Sequence, residues 1–67
     1  MKKGTVKWYD QTKGYGFVAS EGQEYFMHAS SILSEDDKLA MEKGMEVEFM
    51  IQKGKKGFQT DKVSIIH

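Results

Sequence analysis

Apolar and polar residues alternate along this chain in short runs, separated by polar or glycine-containing breaks. The clearest run is Met45 to Gln52. Met45, Val47, Phe49 and Ile51 fall on one face, and Glu46, Glu48, Met50 and Gln52 on the other. That period of two predicts a half-buried β-strand. Val6–Tyr9 reads as the end of a first strand, Tyr15–Ser20 as a second and Tyr25–His28 as a third. Phe58–Ile66 reads as a fifth, with Val63 and Ile65 facing inward. The breaks are turn-like: DQTKG (Asp10–Gly14), EGQ (Glu21–Gln23) and KGKKG (Lys53–Gly57).

One connection is longer. Between strands three and four lies ASSILSEDDKLAMEKG, in which Ser34 and Asp37 have the spacing of a capping box and Gly44 can end a helix. One or two helical turns over Lys38–Lys43 are expected there, and loop elsewhere. Five short strands with one long connection predict a small closed or nearly closed barrel, because closure removes the edges that template aggregation. The inner set is Val6, Val18, Tyr25, Met27, Ile32, Val47, Phe49, Ile51, Val63 and Ile65. Such a core is large enough for the chain without the other aromatic residues.

Those other residues pose the functional question. Alternation puts Tyr15 and Phe17 together on one face of strand two, and Phe26 and His28 together on one face of strand three. If the two strands form a hairpin, the four side chains make one patch. Trp8 falls on the same side as Val6 under strict alternation, so it joins the patch only if strand one contains a β-bulge. An exposed aromatic patch marks a binding surface. Flat rings bordered by Lys7 and Lys13 suit unstacked bases with phosphates nearby. Gly14 and Gly16 would let a backbone or ligand approach the sheet. Duplex DNA fits poorly, because its bases are already stacked. The alternative use of these rings is to cover a second small core or to pack under the long loop.

Composition narrows the classes. With 67 residues the chain is one domain, residues 1–67, and with no cysteine it has no disulfide framework or thiolate metal site. No apolar run approaches a membrane span of about 18 residues. MKKGTVKW lacks the apolar stretch of a signal peptide, so the expected location is cytoplasmic. The formal net charge is zero. Its distribution is uneven. Residues 1–20 carry Lys2, Lys3, Lys7 and Lys13 against Asp10, and residues 51–67 carry Lys53, Lys55, Lys56 and Lys62 against Asp61. The middle is acidic, with Lys38 and Lys43 against eight carboxylates. A fold with a basic side and an acidic side is one outcome, and a mixed solvated surface is the other.

Enzyme chemistry is not expected. Two histidines without cysteine do not make a usual zinc site. His28 near Ser30 and Ser31 has no third group to complete a nucleophilic triad. Glu35-Asp36-Asp37 reads as a solvated loop or helix start rather than a calcium site. KGYGF lacks the spacing of a phosphate-binding loop. No cofactor and no small-molecule substrate are implied.

KGYGF (Lys13–Phe17) resembles the first ribonucleoprotein motif of cold-shock domains, K-G-[FY]-G-F. YFMH (Tyr25–His28) resembles the second, and GTVKWYD (Gly4–Asp10) is similar to the family's opening. The likeness extends over nearly the whole chain. It implies an all-β, five-stranded antiparallel OB-type barrel that binds single-stranded RNA and DNA. It further implies an RNA chaperone that melts weak secondary structure without ATP, and a monomer is expected. Carried over by position, the binding residues are Lys7, Trp8, Lys13, Tyr15, Phe17, Phe26 and His28, with Lys56 at a commonly basic position.

The chain departs from the family pattern in places. Ala29 stands where an aromatic usually follows the histidine, and Glu35-Asp36-Asp37 occupies a loop that often carries another. Phe58 replaces a usual proline and is either a substitute base contact or a plug at the barrel end. A shortened or displaced footprint is the expectation. The rival readings are a protein-interaction module and a structural barrel that has lost binding.

Overall fold

The computed structural model describes residues 1–54 and 57–66. The strands are β1 (Lys2–Asp10), β2 (Tyr15–Ser20), β3 (Gln23–His28), β4 (Glu46–Gly54) and β5 (Gly57–Ile65). They close into a barrel in the order β1-β2-β3-β5-β4. β1 is antiparallel to β2 and to β4, β2 to β3, and β4 to β5. The closing seam departs from the antiparallel expectation. β3 meets β5 in parallel at Phe26 and Gln59, and the bridge from Ile32 to Val63 is also parallel. The cause is the odd strand number: with the other four pairings antiparallel, the fifth seam of a closed ring of five strands can only be parallel.

The β2–β3 hairpin turns on Glu21 (φ 51°) and Gly22 (φ 80°). Two successive left-handed residues match the right-handed twist of the strands they join. The long connection holds a 3₁₀ turn, Ala29–Ser31, and a short helix α1, Glu35–Ala40. The helix begins three residues earlier than the sequence suggests. Ser34 Oγ accepts a 3.5 Å bond from the Asp37 amide, and three acids occupy the first turn, where the helix dipole favours them. It ends at Met41, which turns extended and sinks into the core.

The core consists of Val6, Val18, Tyr25, Met27, Ile32, Met41, Val47, Phe49, Val63 and Ile65. Tyr9 and Met45 pack against its margin. Met41 is an addition to the expected set. Ile51 is the correction: it is 41 % exposed. The β4–β5 register shifts between Glu48 and Met50, where Lys62 of β5 takes a left-handed φ of 51°. Beyond this irregularity Met50 to Lys53 of β4 are all exposed, while β5 opposite them stays in the barrel wall, with Thr60 buried and bonded to the Phe26 carbonyl. Among the described residues no helix is long and apolar enough to cross a membrane.

Candidate nucleic-acid interface

The bulge that Trp8 requires is present. Val6 pairs with Val18 but Trp8 pairs with Phe17, so Lys7 is the extra residue in β1. Val6 stays in the core and Trp8 emerges on the outer face, 37 % exposed. Gly16 makes the crossing possible. A Cβ there would collide with the Trp8 carbonyl oxygen and approach Tyr9 Cα to 2.7 Å. The close approach that this glycine permits is therefore to the bulged backbone of β1, not to a ligand.

Strand pairing then assembles the rings. Tyr15 lies opposite His28, and Phe17 opposite Phe26. Trp8 meets Tyr15 and Phe17 with ring centroids 5.6 and 5.5 Å apart. Phe26 lies 5.7 Å from Tyr15, 5.8 Å from Phe17 and 6.3 Å from His28. These spacings fall in the range of favourable aromatic pairs. The five rings form one continuous outer surface, and none belongs to the core cluster.

The border of the patch is fixed by short-range contacts. Asp10 Oδ1 accepts from the amides of Thr12 (2.9 Å) and Lys13 (3.0 Å), an Asx turn that fixes the Lys13 backbone just before β2. Gly14, at φ 75°, completes this turn, and its carbonyl accepts from the Ala29 amide at 2.9 Å. His28 Nδ1 accepts a 3.1 Å bond from the Ser30 amide and lies 2.9 Å from Ser30 Oγ. An accepting Nδ1 places the proton of the neutral ring on Nε2, leaving an exposed donor at the patch. The sequence pattern His-x-Ser carried that signal.

Charge is arranged differently from a two-sided molecule. Lys2 pairs with Glu21 at 2.7 Å and Lys7 with Glu24 at 2.6 Å. Basic residues of the first segment thus sit against acids of the middle one, and the surface is mixed. Lys7 is not a free cation at the rim, whereas Lys13 makes no ion pair with a described residue. Within the acidic run, Glu35 bonds Lys38 at 3.0 Å, and Asp37 Oδ2 accepts the buried Ile65 amide at 3.1 Å. Asp37 thereby ties the long connection to β5. Among the described residues no cluster of His, Cys, Asp or Glu could hold a metal ion.

Phe58 is 53 % exposed and does not plug the barrel. With Phe17 and Phe26 it lines a groove of about 780 Å³, whose polar rim includes Gln23, Glu24 and Gln59. Gln59 joins this rim only through the parallel seam, where it meets Phe26, so no local pattern in the sequence marks it. Lys56 lies outside the described residues.

Comparison with known proteins agrees with this geometry. The family described as 'Cold-shock' DNA-binding domain matches residues 2–66. A cold shock-like protein of Thermotoga maritima is 46% identical over 65 residues, covering 96% of this chain and 97% of that protein. The cold shock-like protein CspA of Vibrio cholerae is 43% identical, covering 94% and 91%. The major cold shock protein CspA of Pseudomonas aeruginosa is 38% identical, covering 97% and 94%. With a closed five-stranded barrel, an outer array of rings and a family match over nearly its full length, this chain belongs to the cold-shock domain family.

Proposed function

We propose that this protein binds single-stranded RNA and DNA by stacking bases on Trp8, Tyr15, Phe17, Phe26 and His28. By holding bases apart it acts as an RNA chaperone that keeps weak secondary structure open, and its work is binding rather than catalysis. The observation that carries this reading is the continuous ring surface outside a core that is complete without it. Every base has a π-face, and stacking is worth about 1–3 kcal/mol per base. A duplex offers no such faces.

Affinity arises mainly from stacking, since the net charge is zero and Lys7 is already paired. Counterion release contributes about −0.7 to the salt slope per phosphate contacted on a single strand, so about three contacts give a slope of roughly −2. The proposed place of action is the cytoplasm, as a monomer.

Trp8 is the sole tryptophan, so its fluorescence reports from within the array. Titration with single-stranded oligo-dT quenches it strongly, and the same length of duplex does so weakly. No change with either, in folded protein at low salt, would end this reading in favour of a protein-interaction module.

A further inference from the structure

The groove beside Phe58 continues the ring array but is not part of it. Two of its walls, Phe17 and Phe26, are array members, while the third, Phe58, comes from the start of β5, next to the seam with β3. We propose that this groove receives one additional nucleobase of a strand lying on the array, which extends the contact surface toward the β4–β5 hairpin. The inference rests on the reading of the array as a base-stacking surface and names where that surface ends.

Three observations on this chain support it. Phe58 is a large apolar side chain that is half exposed, and its exposed surface lines a groove. The volume of about 780 Å³ lies within the range of about 300–1,000 Å³ typical of pockets that take small ring systems. The groove has apolar ring walls and an amide-bearing rim, Gln23 and Gln59, which match a flat base with polar edges.

Charge fits the same occupant. Lys53 lies directly opposite Phe58 across the β4–β5 pairing, and it makes no ion pair with a described residue. A base against Phe58 therefore brings its phosphate toward the Lys53 side of the hairpin. At the opposite border of the array Ala29 offers no ring, so the strand gains its extra platform at the hairpin end.

The test compares the natural protein with Phe58→Ala and Phe58→Tyr, using oligo-dT of increasing length and Trp8 quenching as readout. Thermal melts check that each variant is folded, which is expected because Phe58 lies outside the core cluster. Phe58→Ala weakens binding roughly 5- to 150-fold, as expected for one lost stacking platform. It also shortens by about one nucleotide the length at which affinity stops rising, the share of a single platform. Phe58→Tyr retains both properties. If the natural protein binds and Phe58→Ala has the same affinity and site size, the groove assignment is wrong while the array reading stands. Equal losses in Phe58→Ala and Phe58→Tyr also overturn it, because a ring was then not the cause. Absence of binding by the natural protein overturns the array reading and this inference together.

Discussion

Trp8 lies opposite Phe17, one position out of the register that Val6 and Val18 set in the same pair of strands. That offset places an apolar residue inside the barrel and a tryptophan outside it, two positions apart on one strand. The interface depends on it, because Trp8 contacts both Tyr15 and Phe17.

Stability and binding therefore separate by face. Phe49→Ala, in the core, costs about 3–5 kcal/mol in a urea melt and leaves the affinity of the folded fraction unchanged. Phe17→Ala or Phe26→Ala costs less stability but weakens oligo-dT binding by about 1–3 kcal/mol. Equal stability losses from Phe49→Ala and Phe26→Ala would contradict the separation.

Gly16→Ala disturbs both. Its Cβ has no room against the Trp8 carbonyl and Tyr9 Cα, so the strands must part, at a cost of roughly 1–3 kcal/mol. Displacement of Trp8 should also shift its emission in the free protein. An unshifted spectrum with full stability would show that the bulge relaxes freely.

Glu24→Gln releases Lys7 for a phosphate. The exposed pair is worth only about 0–1 kcal/mol, so the melting temperature barely moves. The salt slope steepens by about 0.7, the share of one additional phosphate contact. The same slope in both proteins would mean that Lys7 does not reach the strand.

Asp37→Ala leaves the Ile65 amide without its carboxylate partner. A buried unpaired donor costs about 1–3 kcal/mol. Hydrogen exchange should rise first at Ile65 and in the connection around α1. Global exchange without that local increase would show that Asp37 is not the tether.

Alkaline pH should destabilise the fold. Burial pushes the Tyr9 hydroxyl above its ordinary 10.0, with Lys38 opposing, so the folded state holds this proton more tightly than the unfolded chain. Lys2 is held above 10.5 chiefly by its hydrogen bond to Glu21. Stability from either group is fully present below the unfolded value and is lost as pH rises through the folded one. The melting temperature should therefore fall above about pH 10, and less steeply in Glu21→Gln. A flat profile to higher pH would remove both contributions.

The strands and most of the core were legible because side-chain direction in a strand follows a period of two, which local sequence records. Tyr15 with Phe17, and Phe26 with His28, could be placed on shared faces from that period alone. Gln59 could not be placed, because it lies more than thirty positions along the chain from Phe26 and meets it only through the parallel seam. Ile51 broke the pattern because periodicity says which face a residue takes, not whether the core extends that far.

The alternation, the composition of the ring set and the turn residues are all set by near neighbours along the chain. Long-range packing settles the rest: β5 closes the barrel against β3, Lys7 bulges and pairs with Glu24, and Met41 fills the core while Phe58 stays in a groove. Each of these outcomes is set by contacts between segments distant in sequence, where packing space and partner charge override local preference.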